Sequence, residues 1–555
     1  MSMAKAFAVI RSLPKKRCVH GDRIVAFTVA ACVLWSCTTP AYAIPVFARK
    51  YRTSCITCHA GYPKLNSLGE AFRRNGYQYP RGDLDMVKDE PLPLGTDTWK
   101  EMWPDSIWPN DIPGLPPVSF LARLGYNVFL DTPDGEPATD FQFPLDFNLL
   151  SGGTLGEDIS WYAAYVLAGR GAHGASGVGG TNGHALESEL ERFFVQFDNL
   201  FAWSEEDDED GMRAANRGLA LPRHALNLRV GQFEPGVIAP WASIHRQLGI
   251  QGRLPNLAGT SNNGFLLEPS QRGIEFNGVL RNYLSYAAGM VNGNGVVQAY
   301  DNNSDKDFYF RVARKWWGYP LDGQVVPIGQ DASESDGEPE VEVSGDFGPR
   351  STPSGSTVSV RAQSPDESLD FTAPGLDFWR ETSFETGFFG YFGRNATTVT
   401  VQQPMFVGSV AAADLGSALD VAHLPVDVPA IHRFERFGFD ARWTRGDWDI
   451  YGAWVWARDR EPLGGFIDAV EKDNFFTWFV EANYYYKPWL IAYGRYEQSD
   501  FQGESALRNN EIARGVVGAA GYLRSNVRLV GEIVLDAGGN DTTDDSAQLV
   551  LDLAY

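Results

Sequence analysis

The chain has 555 residues, with 70 acidic and 47 basic side chains and a formal net charge of −23 at pH 7. A surface this acidic repels polyanions, which argues against nucleic acid as a partner. No apolar run approaches the length of about 20 residues that a membrane-spanning helix needs, which argues against a helical membrane protein.

The first 43 residues are predicted to form a cleaved signal peptide. Basic residues precede an apolar run at 24–35, and Ala41-Tyr42-Ala43 supplies a small-x-small cleavage site. A lipoprotein cut at Cys37 is the less favoured alternative, since Leu34-Trp35-Ser36 approaches it poorly. Cleavage after Ala43 removes six basic residues and one acid, so the mature chain carries a charge of −28.

The motif Cys55-Ile56-Thr57-Cys58-His59 predicts covalent attachment of one c-type haem. Two thiols three positions apart can form thioethers with the two vinyl groups of one haem, and His59 then lies beside the iron as an axial ligand. Export is consistent with this, because c-type haem is attached on the far side of the bacterial inner membrane.

Two other chemistries use the same spacing of cysteines. A redox dithiol is typical of a thioredoxin-like βαβ context, and the surrounding sequence lacks one. A zinc site of the usual kind needs a second Cys/His pair at regular spacing, and none follows in the mature chain. Haem attachment is therefore the favoured interpretation.

Residues 44–90 are expected to form a small cytochrome segment, called the head below. Leu65, Leu68 and Phe72 fall at helical spacing, and Gly76 ends the helix. Residues 44–82 carry seven basic side chains and one acid, Glu70, so a basic head precedes an acidic remainder. The head is too small to bury a sizeable core without its haem and a surrounding wall.

The sixth ligand of the iron stays open. Met86 and Met102 are the nearest candidates after His59. The next histidines, His173, His184 and His245, fall in the region that follows. A five-coordinate iron is the alternative, in which case each methionine has only a packing role.

Residues 91–117 are rich in proline and tryptophan and are predicted to form an ordered connector. From residue 118 to the end, apolar and polar positions alternate over segments as long as transmembrane β-strands. About sixteen such segments are predicted, starting near residues 118, 139, 159, 187, 225, 270, 284, 307, 377, 432, 448, 475, 489, 511, 527 and 546.

An even number of long alternating segments predicts an all-β outer-membrane barrel that spans residues 118–555. A large soluble β-protein such as a propeller is the alternative, but no blade-length repeat is present and soluble strands are usually shorter. With the N-terminus in the periplasm, segments 6–7, 10–11, 12–13 and 14–15 are joined on the periplasmic side by short turns. The connections at 203–224 and 317–377 break this pattern with long acidic inserts, which we interpret as solvated loops.

Residues 45–79 carry several motifs that resemble one known family. They include Phe47-Ala48-Arg49, the Cys55–His59 motif, Pro63-Lys64-Leu65-Asn66, Gly69, Phe72 and Asn75-Gly76-Tyr77. They resemble the heads of outer-membrane fused monohaem cytochrome–porins, which include bacterial Fe(II) oxidases and the related porin-like cytochromes of metal-respiring bacteria. The last hairpin, which ends in Tyr555, also looks like the terminus of an outer-membrane porin.

The resemblance implies that the head plugs the barrel and passes electrons through the outer membrane. The expected partners are extracellular Fe(II), a periplasmic electron carrier such as a c-type cytochrome, and outer-membrane lipid. The alternatives are outward transfer to an extracellular acceptor, a diffusion porin with a structural haem plug, and a haem enzyme such as a peroxidase. A peroxidase needs a second histidine near the haem as an acid–base catalyst, and the head has no histidine after His59.

Overall fold

A computed structural model gives the fold of the chain. It describes residues 46–51, 53–80, 92–93, 102, 111–112, 118–130, 138–155, 158–169, 189–201, 221–236, 246–253, 265, 267, 270–293, 305–323, 340–342, 359–361, 381–406, 421–460, 472–502, 512–536 and 545–554. The signal peptide, Met86, the three later histidines, Tyr555 and most of the two acidic inserts lie outside these ranges.

Sixteen antiparallel strands form one closed barrel. Their bounds are β1 Val118–Phe129, β2 Ala138–Thr154, β3 Ile159–Gly169, β4 Glu189–Phe197, β5 Asn227–Phe233, β6 Gln271–Leu280, β7 Leu284–Val291, β8 Asp307–Trp317, β9 Ser383–Phe406, β10 Val421–Arg445, β11 Trp448–Arg460, β12 Lys472–Lys487, β13 Leu490–Gln502, β14 Ile512–Arg524, β15 Val527–Asp536 and β16 Ser546–Ala554. Each strand pairs with the next in sequence, and β16 pairs with β1 to close the ring.

The predicted fold class and strand number are confirmed. Fourteen predicted starts lie within three residues of the observed ones, and the exceptions are β9, which starts six residues later, and β10, which starts eleven residues earlier. Residues 421–431 contain two prolines, which are unusual inside a strand, so the sequence did not indicate that β10 begins there. The backbone nevertheless pairs with β9 as far as Phe406 and Val421.

The barrel has an apolar outer face and a charged inner face. On β6, for example, Ile274 and Phe276 are largely exposed, while Glu275 and Asn277 between them are buried. Arg436 and Asp459 form an ion pair with no solvent exposure inside the lumen, with Nη1 and Oδ1 2.6 Å apart. A soluble protein has the opposite arrangement, so these faces identify a barrel that crosses a membrane.

Aromatic side chains mark one end of the barrel. Short turns join β6–β7, β10–β11, β12–β13 and β14–β15 there, as predicted, and we call it the turn end. Exposed aromatic residues surround it, including Trp316, Trp317, Trp448, Tyr486 and Trp489. Such a girdle is typical of the boundary between lipid and water.

No helix among the described residues is long and apolar enough to cross a membrane.

The head consists of three short helices, α1 Val46–Lys50, α2 Cys55–Cys58 and α3 Ser67–Arg74, and a hairpin of His59–Gly61 with Lys64–Leu65. The predicted helix is thus confirmed as α3, although Leu65 lies in the hairpin just before it. Further two-stranded pairs join 92–93 with 111–112 and 340–342 with 359–361. The head contacts barrel residues near the turn end, so it lies inside the lumen at that end.

A charged residue introduced on the outer face should destabilise the barrel more near the middle of the membrane than near its boundary. Val517 is 60% exposed on the outer face near the middle of β14, whereas Leu523 is exposed on the same face close to the turn end. Val517→Arg should lower the free energy of unfolding from lipid vesicles by about 2–4 kcal/mol, and Leu523→Arg by about 1 kcal/mol or less. Urea titration of both variants in vesicles measures this, and equal costs would contradict the assigned membrane face.

Candidate functional site

The two cysteines of the Cys55–His59 motif lie on a single helical turn. Helix α2 spans Cys55–Cys58, which places the two thiols one turn apart on the same side of the helix. His59 follows at once and opens the short hairpin. Cys55, Cys58 and His59 all line one cavity between the head and the barrel wall.

The His59 ring is oriented by the backbone of its own hairpin. Its Nδ1 lies 3.1 Å from the carbonyl oxygen of Pro63. A carbonyl oxygen can only accept, so Nδ1 carries the proton and Nε2 keeps a free lone pair. Burial lowers the pKa of His59 to about 4, so the imidazole is neutral at pH 7. A neutral, oriented imidazole is the form that binds a metal ion.

The two thiols do not have the environment of a redox dithiol. Burial raises the pKa of Cys58 to about 12, and burial also raises the pKa of Cys55. Redox dithiols instead have one thiol with a lowered pKa, because the thiolate is the reactive form. Among the described residues, no group of three or more His, Cys, Asp or Glu side chains could hold a metal ion.

Asn66 and Gly69 hold the motif against helix α3. The Asn66 side chain accepts a hydrogen bond from Gly69 N at 2.9 Å, capping α3, and donates to Thr57 O at 2.9 Å. A Cβ on Gly69 would lie 2.0 Å from the carbonyl oxygen of Cys58, so only glycine permits this approach. These contacts explain why the two residues belong to the recognisable pattern of the head.

An aromatic cluster builds the rest of the head. Phe47, Tyr51, Phe72, Tyr77 and Tyr79 pack mostly edge to face, with ring centroids 4.6–5.9 Å apart. Such contacts supply a core where the helices are too short to do so. The cluster continues into the barrel wall, because Tyr77 stacks on Tyr162 of β3 at 4.5 Å.

Polar contacts attach the head to strands all around the barrel. On β11, Lys64 Nζ lies 2.7 Å from Asp449 Oδ2, and Arg442 of β10 contacts the same carboxylate at 2.9 Å. Further contacts join Arg49 to the Val118 carbonyl of β1, Lys50 to Thr154 of β2, the Arg74 carbonyl to Gln196 of β4, Ser67 to Lys315 of β8, the Arg74 side chain to Glu385 of β9 and the Tyr62 carbonyl to Tyr522 of β14.

Glu70 is the acid at the centre of the basic head. Burial alone would raise the pKa of Glu70, but Arg73, Arg246 and Arg74 outweigh it and lower the pKa to about 2. Arg73 donates to the Glu70 carboxylate at 3.1 and 3.2 Å. Arg246 belongs to a loop of the barrel, so Glu70 links the head to that loop.

The cavity beside the motif has the chemistry that a haem requires. The space between its walls, including the open side, is about 1600 Å³. Thiols and an imidazole line one part, and aromatic and aliphatic side chains line most of the rest, among them Phe47, Tyr51, Leu65, Phe72 and Leu121. This apolar wall suits a porphyrin ring, so the residues present fit the group.

Five arginines also line the cavity, and only one of them, Arg73, belongs to the basic head that the sequence indicated. They are Arg73, Arg123, Arg192, Arg229 and Arg246, with Glu191 and Glu234 beside them. All but Arg73 come from the barrel or its loops, far from the motif in sequence. The alternating pattern could show that a strand arginine points into the lumen. It could not show which of the inward-pointing residues lie next to the head.

Neither methionine proposed as a sixth ligand is placed at the cavity by the structure. Met86 lies outside the described residues. Met102 is 59% exposed and is not one of the described residues that line the cavity. No methionine is among those lining residues, and the cavity histidine among them is His59. His245 precedes a lining residue, Arg246, but itself lies outside the described ranges.

The comparisons with known proteins find solved structures of outer-membrane proteins with a similar fold. No protein-family model matches the chain, and no curated protein matches it. The chain is similar to an anion-selective porin from Comamonas acidovorans, at 9% identity and a TM-score of 0.41, over 79% of this chain and 98% of the porin. It is also similar to OmpT, an outer-membrane protein of Vibrio cholerae, at 9% identity and a TM-score of 0.40, over 79% of this chain and 99% of OmpT.

The ion pair between Lys64 and Asp449 generates a prediction about the head. Asp449→Asn leaves the buried Lys64 and the partly exposed Arg442 without their carboxylate and should destabilise the docked head by about 3–5 kcal/mol. Lys64→Met should cost less, because Asp449 keeps two hydrogen bonds from Arg442. Hydrogen exchange of the amides in α3 measures both effects.

Asp459→Asn provides the matched control for that experiment. It breaks an equally buried pair with Arg436, but within the barrel wall. Exchange in α3 should stay close to that of the unaltered protein. Equal acceleration in the Asp449 and Asp459 variants would show that the head is not held by the contact with β11.

Proposed function

We propose that this protein transfers single electrons across the outer membrane through one covalently bound haem c, most readily from extracellular Fe(II) to a periplasmic carrier. The observation that carries the proposal is the shared cavity of Cys55, Cys58 and His59 inside the barrel. A haem attached to a soluble segment would need no such wall. A haem attached here would lie within the structure that crosses the membrane.

The side chains that line the cavity have the properties that a covalently bound haem needs. Cys55 and Cys58 supply the thiols for attachment, and His59 offers Nε2 in the neutral form. Aromatic side chains of the head keep water from one part of the cavity, and the arginines place positive charge at another. A haem bound there would supply a one-electron Fe(III)/Fe(II) couple, whose potential depends on ligands, burial and hydrogen bonds.

The attachment of the head supports an electron conduit over a diffusion porin. A sixteen-stranded barrel is wide enough for an aqueous channel. In this chain the head makes polar contacts with strands β1, β2, β4, β8, β9, β11 and β14, and Tyr77 stacks on β3, so its contacts lie around the ring. Buried ion pairs, including Lys64 with Asp449, secure those contacts. A plug held from all sides suits a path for electrons and opposes the passage of solutes.

Fe(II) and the inward direction follow from the resemblance of residues 45–79 and from charge. The net charge of −28 for the mature chain raises the concentration of cations near the protein. A single haem accepts one electron at a time, which matches the oxidation of Fe(II). The same parts can support outward transfer, so the test compares the rates in both directions.

The proposed function predicts that substitutions in the Cys55–His59 motif stop electron transfer without preventing assembly of the barrel. His59→Ala and Cys58→Ala should abolish reduction of the protein by Fe(II), because they remove the axial ligand and one thioether, while the barrel still assembles through its own strand pairing. Ile56→Ala is the matched control, since Ile56 lies between the cysteines and is exposed. Stopped-flow spectroscopy of purified protein measures the rate, and heat-modifiable gel migration reports on the barrel.

The rate for the unaltered protein should rise with Fe(II) concentration. Inward transfer would be overturned if Fe(II) failed to reduce the ferric form while an extracellular oxidant rapidly drained the ferrous form. A haem-like spectrum that survives in Cys58→Ala at full yield would instead contradict two-point attachment.

A further inference from the structure

Part of the loop between β5 and β6 lies inside the lumen, attached to the barrel wall through its backbone. The Glu532 carboxylate accepts from Ile250 N at 3.0 Å and from Gln251 N at 2.8 Å. Arg528 donates to the carbonyl oxygen of Leu248 at 3.1 Å, and Arg495 to that of Gln251 at 2.8 Å. Residues 246–253, which we call the inner loop, are therefore fixed in position.

The first residue of the inner loop, Arg246, lines the cavity beside the head, and some of its N–H groups make no hydrogen bond among the described residues. Its Nη1 lies 3.4 Å from both carboxylate oxygens of Glu70, which Arg73 already binds at shorter distances. Its Nη2 lies 3.9 Å from Glu234, beyond hydrogen-bond distance. Among the described residues, neither Nε nor Nη2 has a hydrogen-bond partner, although the residue is only 7% exposed.

Buried donors without acceptors are costly, and those of a charged group more so. Burial and the nearby Arg73 lower the pKa of Arg246 to about 10, so the guanidinium still carries its charge at pH 7. A second cavity arginine, Arg192, has one donor without a partner among the residues described, its Nε, although its Nη2 pairs with Glu191 at 2.7 Å and with Glu234 at 2.9 Å. The two unpartnered donors of Arg246, with that of Arg192 on the same cavity wall, indicate a ligand that carries negatively charged oxygens.

We infer that Arg246 binds a carboxylate of the haem, so that the barrel loop supplies part of the cofactor site. This inference rests on the proposed function, since it takes haem as the occupant of the cavity. A haem has two propionate groups, and a guanidinium binds a carboxylate through two parallel hydrogen bonds. The positive charge of Arg246 also favours the ferrous form over the ferric form, which carries one more positive charge.

The experiment compares Arg246→Gln with Arg246→Lys in the full-length protein in detergent. The covalent haem should remain in both variants, because Cys55 and Cys58 hold it. At a fixed ambient potential, the ratio of ferrous to ferric haem should fall about tenfold in Arg246→Gln, the size expected for loss of one charge acting through a protein interior. Arg246→Lys keeps the charge and should recover most of the ratio. The propionate bands in the resonance Raman spectrum should shift in both variants.

Arg253→Gln is the control from the same loop. Arg253 is fully buried and pairs with Glu481 at 2.9 Å, but it does not line the cavity. It should leave the haem ratio and the propionate bands unchanged. If Arg246→Gln behaves like Arg253→Gln, water satisfies the Arg246 donors and the inference fails. If the unaltered protein carries no covalent haem, the proposed function fails first, and a haemochrome spectrum separates the two failures.

Discussion

The constraint on which this structure depends is that a closed barrel in lipid has its polar side chains on the inside. Lipid excludes unpaired polar groups, so the outward positions are apolar and the charged residues turn to the lumen. A lumen lined by charge can hold a fixed insert only through paired charges, and each pair must have good geometry because its desolvation is costly. The head meets this requirement. Its basic residues Lys64 and Arg74 contact the wall residues Asp449 and Glu385, and its one early acid, Glu70, contacts Arg246.

The same constraint explains the uneven charge along the chain. A basic head of about forty residues and an acidic remainder attract each other, and the attraction acts where the dielectric constant is low. The head has little apolar core of its own beyond one aromatic cluster, so the wall completes it through Tyr162. Fusion to a porin-like barrel is therefore part of how the head folds, as well as part of what the protein is proposed to do.

The sequence predicted the barrel well because alternation is a local property. Strand β11 was predicted to start at Trp448, where it does start, because turn residues at 444–447 come directly before it. Strand β10 was misplaced because its first residues include two prolines, which are unusual inside a strand, and the pairing with β9 decides their conformation. The motif residues Cys55, Cys58 and His59 could be named from their spacing, and the structure brings them to one cavity.

The remainder of the site could not be predicted, because it depends on which wall residues meet the head. Arg192 and Arg246 look like any other inward or loop arginine in the sequence, and only the closed ring brings them to the cavity. Met102, chosen for its nearness in sequence to the motif, is exposed instead. Residues that act together across a barrel are separated by more than a hundred positions, and local pattern carries no information about such contacts.

The most direct test of the account uses vesicles that contain the protein and enclose an oxidised soluble c-type cytochrome. Fe(II) is added outside, and reduction of the enclosed cytochrome is followed together with leakage of a small enclosed anionic dye. The account predicts that the cytochrome is reduced while the dye is retained, and that vesicles with the Cys58→Ala protein or with no protein show no reduction. Equal reduction in the Cys58→Ala vesicles, or escape of the dye at a porin-like rate, would contradict it.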